Sequence, residues 1–293
     1  MEPDLEKTAG AGDKGLSGES FEGLAFWKMS GSGNDFILVD NRSGRVPRDD
    51  MPGLARSICR RRESVGADGL IFVEPSERYD FAWMFFNSDG SEAEMCGNGG
   101  RCAARFAALQ GAAGESMTFE TKAGPISAEV RGRVVKIRMP LPSGLSMDVD
   151  LPPEPGWKTA DFINTGVPHL VVTVDDLEGY PVVEHGRRIR YHELFKPAGT
   201  NADFVRVTGI RSLELRTYER GVEDETLACG TGAMAAALVS AARGLVRSPV
   251  RVLTRGGEEL FIHFEQEEGA FPEVWLEGNT TVVYRAALGR EAL

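Results

Sequence analysis

The chain has 293 residues, 42% hydrophobic and 26% charged, which is typical of a soluble globular protein with one large or two ordinary domains. Its formal net charge of −11 argues against nucleic-acid binding, because phosphate backbones attract basic surfaces. No apolar run approaches the length that crosses a bilayer, so we expect no membrane association and a cytoplasmic location.

The first predicted element is a disordered leader at residues 1–24, which mixes charges with glycine and serine and has no apolar signal core. A long alanine-rich helix is predicted to begin just after Cys96 and to end at Gly111, since glycine commonly follows a helix end. The strands predicted in this part of the chain lie at 26–41, 69–75 and 79–87, with an antiparallel meander at 117–140.

The same order of elements is predicted further along the chain. A second alanine-rich helix follows Cys229 and ends at Gly244. The strands predicted around it lie at 168–176, 202–209, 213–220 and 249–265, and strand character returns at 280–288.

An internal repeat explains this recurrence. Cys229 lies 133 positions after Cys96, and the same ungapped shift aligns glycines and apolar segments at several separate places. Seven of the 16 residues from Cys96 to Gly111 are identical to their partners. Matches at distant turns in one register are not explained by alanine-rich composition alone.

Two structurally equivalent halves are therefore predicted, at residues 25–140 with Cys96 and at residues 141–278 with Cys229. A stretch rich in proline and glycine separates them, and the tail at 279–293 is expected to join the first half. The predicted fold class is α+β, with each half a mostly antiparallel sheet or barrel wrapped around a central helix. The active site is expected in the cleft between the halves.

The cysteine turns suggest acid–base chemistry. Cys96 and Cys229 each precede a G-x-G turn at a helix N-terminus, where free N–H groups and the helix dipole favour anions. We therefore expect both thiol pKa values to be lowered. With pseudo-twofold symmetry, one sulfur removes a proton from a carbon and the other returns a proton to the opposite face. Cys59 and Cys102 have no such turn and are predicted to be structural.

Five motifs in order resemble the diaminopimelate epimerase family, and the resemblance runs from Phe26 to Tyr284. The motifs are SGSGNDF at 30–36, FNSDGSEAEMCGNGGRC at 86–102, NTGVPHLVV at 164–172, GTNADF at 199–204 and YERGVEDETLACGTGA at 218–233. The resemblance implies cofactor-independent epimerisation of LL-2,6-diaminopimelate to the meso form, in lysine and peptidoglycan precursor synthesis.

The resemblance also implies roles for individual residues. Cys96 and Cys229 would be the acid–base pair, tuned by His169 and Glu219. The residues implied to hold the carboxylate at the reacting carbon are Gly97, Asn98, Gly230 and Thr231. The residues implied to read the distal end of the substrate are Asn34, Asn87, Asn201, Glu219 and Arg220, with Arg220 suited to a bidentate grip on a carboxylate.

Two positions depart from the family pattern. Val167 stands where the family often has asparagine, and Gly69 stands where it often has glutamine. Both positions are expected near the distal end of the substrate, so these departures bear on substrate preference more than on reaction type.

Two alternatives remain open. One is racemisation of another amino acid, such as histidine or a proline derivative, and the other is a non-catalytic thiol sensor, which would not need the G-x-G turns. No metal and no cofactor are expected. The expected partner is a small-molecule substrate, with a homodimer left open.

Overall fold

The computed structural model describes residues 21–152 and 154–293, and its elements form two successive series. The first contains β1 (Ala25–Gly31), β2 (Asn34–Asp40), α1 (Met51–Ile58), β3 (Gly69–Glu74), β4 (Phe81–Asn87), α2 (Gly97–Leu109), β5 (Ser116–Thr121), β6 (Gly124–Arg131) and β7 (Val134–Arg138). The second contains β8 (Ser143–Ser146), β9 (Trp157–Asn164), β10 (Pro168–Val174), α3 (Val182–Arg190), β11 (Asn201–Gly209), β12 (Ser212–Glu219), β13 (Asp224–Thr226), α4 (Gly230–Ala242), β14 (Val250–Thr254), β15 (Glu259–Glu267) and β16 (Ala270–Ala287). Short 3-10 helices lie at Arg48–Asp50, Glu193–Phe195 and Arg290–Ala292.

The two series have the same topology, which confirms the predicted pseudo-symmetric α+β fold. Helices α2 and α4 begin and end at positions related by the shift that aligns the two cysteines. The parallel pairing of β2 with β3 recurs between β10 and β11, and that of β4 with β5 recurs between β12 and β14. The other strand pairings of the described residues are antiparallel, so the sheet is mostly but not wholly antiparallel.

Strand β16 joins the two halves. Its first part pairs with β15 and with β7, and its last part, from Thr280 to Ala287, pairs with β1. Strands β1 to β7 and β16 therefore close into an eight-stranded barrel. The tail after residue 278 thus pairs with the first half of the chain.

Each half wraps around its alanine-rich helix. Almost every residue of α4 is buried, and α2 buries its first turn and the face that contains Cys102 and Phe106. Small side chains let the surrounding strands approach closely, and both helices end before a glycine with positive φ, Gly111 or Gly244.

Helices α1 and α3 were not predicted. Both are short, and α1 has proline and glycine at its second and third positions, so the local sequence favours a turn. Met51, Leu54 and Ile58 of α1 are fully buried against the outer face of the eight-stranded barrel. Tertiary packing, rather than intrinsic propensity, therefore accounts for this helix.

Most of the predicted leader, residues 1–20, lies outside the described residues. Its last four residues do not fit the prediction of disorder, because Phe21 and Leu24 are buried in the cluster that contains α1. None of the helices in the described part of the chain is long and apolar enough to cross a membrane.

Candidate active site

The two cysteine turns have the same local geometry. Cys96 and Cys229 are the N-cap residues of α2 and α4, with extended backbones at φ −146° and −123°. Each sulfur accepts a hydrogen bond at 3.4 Å from the third N–H of its own helix, that of Gly99 or Gly232. The other N–H groups of a first helical turn lack intrahelical partners, so each turn offers anion-binding amides beside a thiol.

The two helix N-termini meet at one side chain of β16. A Cβ atom on Gly97 would lie 2.9 Å from Cδ2 of Leu276, and a Cβ atom on Gly230 would lie 3.0 Å from the same atom. Glycine at both positions lets the helix ends approach this point from the two halves. A glycine therefore follows each cysteine because the two helix ends share one packing partner.

A cavity of about 340 Å³ lies between these helix ends and contains both thiols in its wall. Both halves contribute to it, the second half with Thr165, Gly166 and Val167 among others. The predicted site residues that line it are Asn34, Cys96, Gly97, Asn98, Glu219, Cys229, Gly230 and Thr231.

A chain of hydrogen bonds fixes the first-half wall of the cavity. Asn98 donates through Nδ2 to Oδ1 of Asn34 at 2.7 Å, and Asn34 donates through Nδ2 to Oδ2 of Asp68 at 2.9 Å. Oδ1 of Asn98 accepts from Nη2 of Arg101 at 2.9 Å. The two asparagine side chains are thereby held in one orientation beside Cys96.

A different network lies behind the second cysteine. His169 and Asp203 are both fully buried, with 2.6 Å between Nδ1 and Oδ2. The hydroxyl of Thr217 donates to Oδ1 of the same carboxylate at 2.7 Å. Asp203 also packs closely against the first turn of α4, because a Cβ atom on Gly232 would lie 2.5 Å from its Oδ1. His169 thus lies within the structure behind Cys229 and does not line the cavity.

Three predicted distal residues lie outside the cavity wall. Asn201 uses its amide on the backbone, donating to the carbonyl of Pro168 at 3.0 Å and accepting from the N–H of Arg220 at 2.7 Å. Arg220 donates through Nη1 to the carbonyl of Ala198 at 3.2 Å. Asn87 donates to the hydroxyl of Ser91 at 3.0 Å. Asn201 therefore anchors the backbone from which Arg220 extends.

The prediction of lowered thiol pKa values is wrong. Burial raises the pKa of Cys96, and this effect exceeds the lowering by the N–H groups of Gly99 and Asn98. Burial raises the pKa of Cys229 further, and the charges of Glu219 and Asp203 add to it. Burial also raises the pKa of Glu219. Helix dipoles are present, but burial of the two thiols outweighs their effect on the pKa values.

The other two cysteines are buried, as predicted. Cys102 is fully enclosed on α2, and Cys59 is buried at the end of α1. Burial raises the pKa of each thiol to about 12, which keeps both protonated at neutral pH.

The two departures from the family pattern have different structural meanings. A Cβ atom on Gly69 would lie 2.5 Å from Cε2 of Phe85 and 2.7 Å from the carbonyl oxygen of Phe86, so no side chain fits there. Val167 lines the cavity and presents an apolar surface. Neither position supplies a polar side chain to a substrate.

Arg101 and Asp203 are polar residues beside the cysteine turns that were not predicted. Both break the repeat, since the 133-residue shift places Met234 opposite Arg101, and Ile71 occupies the place beside α2 that Asp203 occupies beside α4. A search for charged residues that lack a charged repeat partner would have found them, whereas a search for identities passes over them.

Comparisons with known proteins agree with this geometry. The sequence profile of the family described as diaminopimelate epimerase matches residues 26–139 and 162–282. The diaminopimelate epimerase of Aquifex aeolicus is 47% identical over 92% of this chain and 99% of its own length. That of Archaeoglobus fulgidus is 44% identical over 80% of this chain and 87% of its own length.

Solved structures with low sequence identity share the fold. A phenazine biosynthesis protein of the PhzF family from Bacillus anthracis has a TM-score of 0.69 at 16% identity, covering 90% of this chain and 98% of that chain. A hydroxyproline epimerase from Agrobacterium vitis has a TM-score of 0.64 at 18% identity, covering 90% and 92%.

Proposed function

The chain belongs to the diaminopimelate epimerase family, and on that premise we propose that it interconverts LL- and meso-2,6-diaminopimelate. This is an isomerase reaction on the route to lysine and peptidoglycan precursors. The observation that carries the proposal is that two thiols, each at a glycine-rich helix N-terminus, face one cavity from opposite halves of the fold.

The reaction needs one thiolate and one thiol. The thiolate takes the α-proton, so the C–H bond breaks and an S–H bond forms. The opposite thiol then gives its proton to the other face of the carbon, which inverts the centre and leaves that sulfur as the thiolate. Charge that develops on the α-carboxylate is stabilised by the N–H groups of both first turns, which are already oriented before the substrate binds.

Charge complementarity orients the substrate within this cavity. The first-turn residues Gly97, Asn98, Gly230 and Thr231 are proposed to bind the carboxylate at the reacting carbon. Glu219 attracts an ammonium group, and Arg220 binds the distal carboxylate. Asn34, Asn87 and Asn201 are proposed to fix the distal end, Asn201 through its hold on the backbone of Arg220.

Proton NMR in heavy water tests the proposed reaction. LL-diaminopimelate is incubated with the protein, thiol reductant and a metal chelator, with no added cofactor. We expect loss of the α-proton signal together with formation of the meso isomer. Retention of the α-proton at high protein concentration would contradict the proposal.

The same assay separates the alternatives. L-Histidine and trans-4-hydroxy-L-proline are offered in place of diaminopimelate, and we expect neither to exchange its α-proton at a comparable rate. Faster exchange of either would identify a racemase of another amino acid. No exchange with any of the three substrates would favour the thiol sensor.

The pH dependence of kcat/KM follows from the raised thiol pKa values. A raised pKa preserves the neutral thiol to higher pH, so at neutral pH only a small fraction of the protein holds the required thiolate. We expect kcat/KM to rise by up to about tenfold per pH unit from pH 6 to 8. Steady-state rates over this range, with circular dichroism to confirm an unchanged fold, measure it. A flat profile would mean that the thiolate is already fully formed at pH 6.

We also propose a cytoplasmic location, supported by four cysteines that are all free thiols in the described structure. Recovery of the native protein in the cytoplasmic fraction, rather than in an oxidising compartment, tests it. The homodimer remains a prediction, and light scattering at several protein concentrations measures it.

A further inference from the structure

Arg101 is a fully buried cation on α2 that makes no ion pair with a carboxylate among the described residues. Its Nη2 donates to the hydroxyl of Ser32 at 2.6 Å and to Oδ1 of Asn98 at 2.9 Å, and its Nη1 donates to the carbonyl of Gly97 at 3.4 Å. Its Nε is buried and has no hydrogen-bond partner among the residues that the structure describes. A buried guanidinium remains charged at neutral pH and is costly to desolvate, so its place beside the site calls for an explanation.

The repeat shows that the two halves carry opposite charges around equivalent thiols. Met234 occupies the position equivalent to Arg101 beside Cys229. Conversely, the strand registers make Ile71 and Asn87 of the first half equivalent to Asp203 and Glu219 of the second. The fold is symmetric at these positions, but the cation lies on one side and the carboxylates on the other.

The charged and titratable groups that face each thiol come from several elements. Cys96 interacts with Arg101 of its own helix and with Glu219 of β12 across the cavity. Arg101 in turn faces Cys102 of α2 and Glu258, which precedes β15. Cys229 faces Glu219 and Asp203, and Asp203 is bonded to His169 of β10. A cation therefore lies beside Cys96 and carboxylates lie beside Cys229, so the local charges favour ionisation of Cys96 over that of Cys229.

We propose that Arg101 is a positioning residue that makes Cys96, rather than Cys229, the sulfur of the pair that ionises first. It acts through its positive charge and through its hydrogen bonds to Asn98 and Gly97, which orient the first turn of α2 around the sulfur. The inference rests on the proposed function, which requires one thiolate and one thiol to be present together in the free protein. For the isomer whose α-proton faces Cys96, this sulfur removes the proton and Cys229 enters the reaction as the thiol, whereas the other isomer requires the opposite protonation states.

Alkylation of the free protein tests this without reference to turnover. Reduced protein is treated briefly with iodoacetamide over a range of pH, and tandem mass spectrometry of its peptides gives the modified fraction at each cysteine. The thiolate is the reactive form, so the midpoint of labelling follows ionisation of each sulfur. In the wild-type protein we expect Cys96 to be labelled at lower pH than Cys229.

The informative variant is Arg101→Met, which installs the residue found at the equivalent position of the other half. We expect it to raise the labelling midpoint of Cys96 by about one pH unit or more, with a smaller change at Cys229. The pH below which kcat/KM falls should likewise move to a higher value. Arg101→Lys keeps the charge and should retain a midpoint near that of the wild type.

Arg105→Met is the matched control. Arg105 lies one turn further along α2, donates to the carbonyl of Thr280 at 2.6 Å and also has a buried Nε without a partner in the described chain. Its replacement should lower thermal stability comparably while leaving both labelling midpoints unchanged. An unchanged Cys96 midpoint in Arg101→Met, or an equal shift at both cysteines, would overturn the inference.

Other outcomes separate this inference from the proposed function. If Arg101→Met does not fold, equal or reversed labelling of the two cysteines in the wild-type protein still overturns it. If the wild-type protein labels as expected but does not exchange the α-proton of diaminopimelate, the proposed function fails while the role of Arg101 stands. If the protein epimerises diaminopimelate but the Cys96 midpoint does not depend on Arg101, only the inference fails.

Discussion

Cys96→Ala and Cys229→Ala are each expected to reduce epimerisation of LL-diaminopimelate by about 1,000-fold or more, while the protein stays folded. Inversion requires proton removal on one face and proton delivery on the other, so neither thiol can replace its partner. Each sulfur also accepts one N–H of its helix, so the free energy of unfolding should fall by about 1 kcal/mol.

Two measurements separate loss of a base from loss of the fold. Steady-state epimerisation reports inversion, and deuterium incorporation without inversion reports the base that remains. In each variant, one isomer of the substrate still presents its α-proton to the remaining sulfur. For that isomer we expect the rate of α-proton exchange to fall much less than the rate of inversion. Thermal unfolding of each variant shows how much stability has been lost.

Cys59→Ala is the matched control for both variants. Cys59 is buried at the end of α1, outside the cavity wall, so its replacement removes a sulfur and some packing but no base. We expect a similar loss of stability and near-normal turnover. Near-normal epimerisation by either site variant would contradict the two-base mechanism.

The repeat predicted the part of the structure that depends on backbone symmetry. The 133-residue shift relates the bounds of α2 to those of α4, and the glycine pairs mark equivalent turns because these turns need positive φ or close contact. Helices α1 and α3 are related by nearly the same shift. They were missed because proline, glycine and charged residues obscure their short apolar faces, which become stable only against the completed barrel.

The electrostatics of the site could not be predicted in the same way. A helix N-terminus lowers a thiol pKa by a local effect that can be read from the sequence at Cys96 and Cys229. Burial raises the pKa by an amount that depends on how closely two distant halves of the chain approach each other. At these two cysteines the non-local effect is the larger one. The asymmetry due to Arg101 was overlooked because repeats are recognised by their similarities.

At the distal end of the site, the residues implied by the family resemblance and the residues that line the cavity differ. The resemblance assigns substrate contacts to Asn87, Asn201 and Arg220, and the structure places all three outside the cavity wall. With Gly69 packed against Phe85 and with Val167 apolar, the family's often-found amides are absent at those two positions. Arg220 is thus the cation with which recognition of the distal carboxylate can be tested.

Arg220→Met is expected to weaken binding and catalysis of diaminopimelate by about 2–5 kcal/mol, or roughly 30-fold to several thousand-fold in kcat/KM. Arg220 lies next to Glu219 of the cavity wall, and no carboxylate lies within 4.0 Å of it in the described structure, so its charge is available to a ligand. Asn201 fixes its backbone at 2.7 Å. Arg220→Lys keeps the charge but loses the planar fork, so we expect an intermediate loss.

L-Lysine separates a carboxylate contact from a general defect, because it is diaminopimelate without the distal carboxylate. Exchange of its α-proton should be slow in the wild-type protein and little changed by Arg220→Met, since the lost contact is one that lysine never makes. Arg206→Met is the matched control: Arg206 is exposed on β11 and pairs with Glu214 at 2.6 Å, and such surface pairs contribute little. Equal losses for diaminopimelate and lysine in Arg220→Met would mean that Arg220 supports the thiol pair or the fold rather than the distal carboxylate. A large loss for diaminopimelate alone would assign that carboxylate to the end of β12, and would explain how the site selects this substrate without polar side chains at positions 69 and 167.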